Sequence, residues 1–262
     1  MQHITLPRSE DFDGIVRSWF THQLVWVQRG DSPFFWWGDV GDVLLYHKDS
    51  LQWFSDRVRY KAALFANPSP PLNGGKNSPW IYWPRDYETC NRYHALKPLD
   101  YSQRRFNCAF IGGYENAIQR GARYPDYWKP CCDVFEVAKS RKAPATRLTQ
   151  GEYFRLMRQS RYGLCLPGYG GKCQREIECF ALGVVPIFTK GVNMDYFDKL
   201  RPGEHYLYAE SLEEVLDLVN TVAPEQWQEM ALAGINWYRR NVSPAGSFAT
   251  TKRIIESLLP SS

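Results

Sequence analysis

The segment Ser160 to Lys190, SRYGLCLPGYGGKCQREIECFALGVVPIFTK, constrains the fold more than any other part of the chain. It reads as a buried strand, a glycine-rich turn, a helix and a second buried strand. Tyr162 to Leu166 is short and apolar, and Pro167, Gly168, Gly170 and Gly171 break it. From Gln174 to Leu182 the spacing is helical, with Ile177, Phe180 and Ala181 on one side. Gly183 stops that helix, and Val184 to Phe188 is a β-branched run suited to a parallel sheet. Lys172 and Arg175 fall at the helix start, and Glu178 follows Arg175 by three positions, on the same face. A helix N-terminus offers free N–H groups and partial positive charge, so this arrangement favours a phosphate ligand.

Two familiar phosphate loops do not fit. A Walker A loop ends in Gly-Lys followed by Ser or Thr, but Cys173 follows Gly171-Lys172, and Leu166 stands where the first glycine belongs. The dinucleotide pattern G-x-G-x-x-G fails because Cys173 replaces its third glycine. ATP hydrolysis and NAD chemistry are therefore poorly supported.

The rest of the composition narrows the class. Hydrophobic residues make up 44% and charged residues 23% of the 262, which predicts a packed core rather than disorder. A net charge of +4, with no basic run of five or more, does not describe a nucleic-acid binder. The seven cysteines are odd in number, several fall in apolar strands, and none forms C-x-x-C. Free thiols in a reducing compartment are expected, without zinc. Met1 to Asp13 is polar and acidic and lacks the apolar segment of a signal peptide. No run approaches the ~20 apolar residues of a membrane span, so the expected location is cytoplasmic.

Two halves are visible along the chain. In the first, Gly14 to Thr21 and Ser50 to Arg57 read as helices. Leu24 to Gln28, Phe34 to Trp37, Val43 to His47 and Ala62 to Ala66 read as strands. Asn67 to Ser78 is rich in Pro, Gly and Asn and reads as a loop. Pro84 to Asp100 has little pattern and is expected to hold the interdomain crossing. The second half alternates strands (Phe106 to Ile111, Val134 to Ala138, Tyr206 to Tyr208 and the two above) with helices at Gln150 to Arg158, Leu212 to Thr221, Pro224 to Asn241 and Phe248 to Leu259. Such alternation predicts doubly wound parallel sheets.

The second half resembles the exostosin-like glycosyltransferases. Their pattern Y-F-x-x-L-x-x-S-[RK]-[FY]-x-L-x-P-x-G is met by Tyr153, Phe154, Leu156, Ser160, Arg161, Tyr162, Leu164, Pro167 and Gly168. The following R-x-x-E and G-x-x-P-[VI] are met by Arg175, Glu178, Gly183, Pro186 and Ile187. A looser match covers Arg105 to Gly113, similar to the strand and turn that open the family's nucleotide-binding domain; the first hundred residues match nothing. Within the family, the chain is most similar to compact transferases of large algal viruses that decorate capsid glycans, including a xylosyltransferase. The resemblance implies an α/β protein of GT-B architecture: two Rossmann-like domains whose parallel sheets face a central cleft. Residues 1–100 would bind the acceptor and 101–244 the nucleotide sugar, with a helix at about 245–259 packing back on the first domain. It implies a UDP-sugar co-substrate with xylose favoured, no metal or other cofactor, a glycan acceptor and inversion at the anomeric carbon.

On that reading the diphosphate lies against Gly112 and Gly113 and against Gly168, Tyr169 and Gly170, since ligands of such sheets bind beyond the carboxyl ends of the strands. Lys172 and Arg175 are its cations, and Glu178 accepts the ribose hydroxyls. Sugar transfer also needs a base for the acceptor hydroxyl. Asp39, between Gly38 and Gly41 after a strand, is the first choice; Asp13, Asp42 and His47 are alternatives. The D-x-D triplet Asp11-Phe12-Asp13 precedes a helix and reads as a cap rather than a metal site. Seven of the ten tryptophans lie in the first 83 residues. Trp36, Trp37, Trp80 or Trp83 would either line a sugar groove or fill a core. Two other classes remain: a catalytically inactive carbohydrate-binding protein with a transferase-like fold, and a nucleotide hydrolase.

Overall fold

A computed structural model describes residues 34–37, 43–46, 62–65, 76–113, 117–138, 148–168 and 171–258. The sequence expectations at Gly14 to Thr21, Leu24 to Gln28 and Ser50 to Arg57 fall outside these residues. The chain divides into two compact units. One comprises Met1–Arg85, Asp195–Lys199 and Arg239–Ser262, and the other Asp86–Met194 and Leu200–Tyr238.

The first unit holds strands β1 (Phe34–Trp37), β2 (Val43–Tyr46), β3 (Ala62–Phe65) and β4 (Lys76–Pro79), paired in that order. β1 runs antiparallel to β2, and β2, β3 and β4 are parallel. β4 corrects the loop expected over Asn67 to Ser78. KNSP carries no apolar alternation, and only its pairing with β3, Leu64 opposite Ser78, makes it a strand. Trp80 and Trp83 are fully buried beside this strand and stack edge to face at 4.7 Å. Their indole N–H groups donate to Thr251 Oγ1 (2.8 Å) and Ser247 Oγ (3.3 Å). They are core residues and do not line an open sugar groove.

In the second unit the helices are α1 (Tyr87–His94), α2 (Ala117–Ala122), α3 (Pro125–Trp128), α4 (Gln150–Arg158), α5 (Gln174–Leu182), α6 (Leu212–Thr221) and α7 (Pro224–Asn241), whose last residues pass into the first unit. The C-terminal helix α8 (Pro244–Leu258) belongs to the first. α1 lies in the stretch that showed little pattern. Its sequence YETCNRYH buries only Tyr87 and Cys90, too few to print a periodicity, and Asp86 caps it through the Thr89 amide at 2.9 Å.

The second sheet is wholly parallel, in the order β6-β5-β7-β8-β9: β5 (Phe106–Gly113), β6 (Val134–Ala138), β7 (Ser160–Cys165), β8 (Val185–Thr189) and β9 (Leu207–Ala209). β8 is buried at every position and β7 at all but Arg161, as the continuous apolar runs require of a sheet covered on both faces. α4 starts with Thr149 and Glu152 capping each other. α5 ends on Gly183, whose φ of 65° is the left-handed conformation that glycine adopts without strain. At this end of the sheet the buried guanidinium of Arg104 donates to the carbonyls of Leu99, Arg158, Ser160, Leu182 and Gly183. It thereby satisfies the ends of α4 and α5 and the start of β7. Burial lowers its pKa to about 9.

Candidate functional site

The site grows from the carboxyl ends of β5 and β7. The two strands are parallel neighbours, so their carboxyl ends lie at the same edge of the sheet. Gly112 and Gly113, expected as a turn, are the last two residues of β5 and pair with Val137 and Ala138 of β6, because the β6 ladder carries the strand past Ile111; the segment after β7 runs from Leu166 to Cys173, with Tyr169 and Gly170 outside the described residues. At two of these glycines, Gly112 and Gly168, side chains press close. A Cβ on Gly112 would collide with Nη2 of Arg175 and press on the Phe110 ring, and one on Gly168 would collide with Cys173 Sγ.

Arg175, in the first turn of α5, is 7% exposed. Its guanidinium lies 4.3 Å above the Phe110 ring, and its Nε and Nη2 donate to the Ile111 carbonyl at 3.2 and 3.1 Å. Its third nitrogen, Nη1, is buried with no partner among the described residues. Lys172 is buried as well.

A second guanidinium, which sequence reasoning did not find, joins the end of β5 to the segment after β7. Arg123, 4% exposed, donates Nη1–H to Gly113 O (2.6 Å) and Nε–H to Pro167 O (2.9 Å). It shares the Phe110 ring with Arg175, 5.7 Å from the centroid. Burial and then the like charge of Arg175 lower its pKa to about 10. Arg123 sits in a segment without periodicity, ten residues beyond Gly113, and no local pattern marks it.

Glu176, also missed, supplies an acid. Its Oε2 accepts the Cys173 N–H at 2.5 Å and closes the head of α5. Burial pushes its pKa up to about 8, so at neutral pH the carboxyl is mostly protonated. Two buried guanidinium groups, Arg175 and Arg123, thus face one weakly ionised acid at the head of α5. Such an excess of positive charge suits a multiply charged anion.

Glu178 lies one turn further along α5. It is buried, and Oε2 accepts the Tyr153 hydroxyl at 2.5 Å. The structure therefore brings Gly112, Gly113, Gly168, Lys172 and Arg175 to one edge of the sheet and holds Glu178 between α5 and α4. Asp13, Asp39, Asp42 and His47 lie outside the described residues. An open groove of about 630 Å³ is lined by Tyr124, Tyr127, Pro167, Thr189, Lys190 and Glu210. Its size is that of a small-molecule site. Among the described residues no group of three His, Cys, Asp or Glu side chains is placed to hold a metal ion. All seven cysteines are free thiols, and no described helix is long and apolar enough to cross a membrane.

No protein-family model matches the chain, and no curated protein matches it. Solved structures do. An alpha-glucosyltransferase in complex with UDP-glucose and DNA containing an abasic site superposes with a TM-score of 0.52 at 12% identity, covering 82% of this chain and 72% of that one. A T4 phage BGT mutant in complex with UDP-glucose gives 0.47 at 9% identity, over 84% and 74%. A glycosyltransferase from Rickettsia africae gives 0.46 at 9%, over 77% and 64%. At these identities the likeness is one of fold, and the fold it gives this chain is the Rossmann-like α/β architecture of the GT-B glycosyltransferases.

Proposed function

We propose that the chain is a glycosyltransferase that moves a sugar from a UDP-sugar donor, xylose by preference, to a hydroxyl of a glycan acceptor. The reading places it with the exostosin-like enzymes, with inversion and without a metal. One observation carries it: the head of α5 gathers the guanidinium groups of Arg175 and Arg123, and Arg175 Nη1 is buried there with no partner among the described residues. A buried guanidinium nitrogen left unpaired costs on the order of 1–3 kcal/mol or more, and a phosphate oxygen removes that cost.

In this account the diphosphate lies against Gly112, Gly113 and the Gly168-Tyr169-Gly170 turn. Amide groups and guanidinium charge hold the negative charge that grows on the leaving nucleoside diphosphate as the glycosidic bond breaks. These cations do what a divalent ion does in metal-dependent transferases. Glu178 takes the ribose hydroxyls in exchange for the Tyr153 hydroxyl that it now accepts. Asp39 removes the proton of the acceptor hydroxyl.

The test is UDP release from UDP-xylose, UDP-glucose, UDP-galactose and UDP-GlcNAc, with and without an oligosaccharide acceptor. Acceptor-dependent release that survives EDTA supports the reading. Binding without turnover points to a carbohydrate-binding protein on a transferase fold. Loss of activity on chelation, restored by manganese, rejects the metal-free mechanism.

A further inference from the structure

Glu176 is the one acid in the first turn of α5 and is 2% exposed. Its two oxygens differ. Oε2 accepts the Cys173 amide, while Oε1 is buried and meets no donor among the described residues. The charged and titratable groups that face it are Arg175 on the same helix, Arg123 beyond α2, Cys173 at the helix cap and Cys165 at the end of β7. Neither guanidinium bonds to it, because Arg175 turns to Ile111 O and Arg123 to Gly113 O and Pro167 O. An ionised carboxylate would thus be left with buried, unsatisfied lone pairs on Oε1. A neutral carboxyl carries one O–H. Since Oε2 is already an acceptor, that O–H belongs on Oε1, one bond angle from the capped oxygen and at the helix head. It needs an acceptor, and a carboxyl kept neutral by its surroundings is a good donor to an oxyanion.

We propose that Glu176 binds the anionic ligand as a neutral carboxylic acid, donating a hydrogen bond from Oε1 to a phosphate oxygen, so that binding at the head of α5 is coupled to a proton. This deepens, and rests on, the donor-site reading above. Burial, which outweighs the pull of Arg175, the Cys173 amide and Arg123 on this carboxyl, puts the change of state near pH 8. Arg123, at about 10, titrates above that window.

The experiment is calorimetric titration of the full chain with UDP-xylose between pH 6.5 and 9, in two buffers of different ionisation enthalpy. The diphosphate diester keeps its charge over this range. The Kd is expected to be flat below pH 7.5 and to rise towards ~tenfold per pH unit above 8, with proton uptake appearing as a buffer-dependent enthalpy. Glu176→Gln keeps an acceptor for the Cys173 amide and an N–H donor in place of the O–H, so its Kd should be the same at pH 7 and pH 9. A pH-independent wild-type Kd with equal enthalpies in both buffers overturns the proposal, as does a Glu176→Gln variant with the wild-type slope. If UDP-xylose does not bind at pH 7 but sulfate raises the Tm, the donor reading fails alone. The same pH series in sulfate, a dianion that does not titrate here, then decides the role of Glu176. If neither binds, both fall.

Discussion

Replacing Arg123 with alanine separates a binding residue from a purely structural one. Its pKa falls from 12.5 to about 10 in the folded chain. That shift of roughly 2.5 units means that keeping it charged costs about 3 kcal/mol. Against this stand two charge-assisted hydrogen bonds, to Gly113 O and Pro167 O, worth about 1.5–3 kcal/mol each. The bonds outweigh that cost by about 0–3 kcal/mol, so Arg123→Ala should lower stability without nucleotide by no more than ~3 kcal/mol. A diphosphate beside Arg123 and Arg175 removes most of the like-charge and burial penalty, and the wild type gains that energy on binding. The variant forgoes it, and its donor Kd should rise by a factor of ~30 to 100. Urea melts give the first quantity and calorimetry with UDP-xylose the second. A variant that loses 4 kcal/mol or more of stability yet binds donor like the wild type would rule out a binding role and leave Arg123 as a staple between the end of β5 and the segment after β7.

Arg175→Ala should lower kcat/KM by roughly 30-fold or more, a loss of about 2 kcal/mol of transition-state stabilisation, and wild-type kinetics would remove it from the site. Arg104→Ala, at the opposite end of the strands, should cost about 3–5 kcal/mol in urea melts because it strands buried carbonyls, while the donor KM of the folded protein stays unchanged. Glu176 should print a pH dependence on stability. Its folded pKa of about 8 exceeds the unfolded value of 4.5, so its contribution is full below pH 4.5 and is lost as pH rises through 8. The slope reaches about 1.4 kcal/mol per pH unit. Melts of Glu176→Gln at pH 5, 7 and 9 should lack that slope and be more stable than wild type at pH 9.

The frame around α5 was legible where the sequence is locally determined. Tyr162 to Leu166 and Val184 to Phe188 are apolar without a break because their sheet is covered on both faces. Gly183 marks a helix end because its backbone turns left-handed. The place of Arg175 in the first turn of a helix could be read from the glycine turn before it and the helical spacing after it. Arg123, Arg104 and Glu176 could not. Arg123 and Arg104 act through backbone carbonyls distant in sequence, a relation that leaves no spacing to detect. Glu176 looks like any acid in a first turn, and only its burial changes its chemistry. The Trp80–Trp83 pair was ambiguous for the opposite reason, since an aromatic cluster serves a core and a sugar groove equally well until its burial is known. β4 was hidden because its residues form a strand only through their partner.

A diphosphate held at the head of α5 would be visible in a crystal structure of the protein with UDP-xylose. Its phosphate oxygens are expected within hydrogen-bond distance of Arg175 Nη1 and of the amides between Gly168 and Cys173. A diphosphate seated elsewhere, with Arg175 Nη1 still unpaired, would contradict that placement.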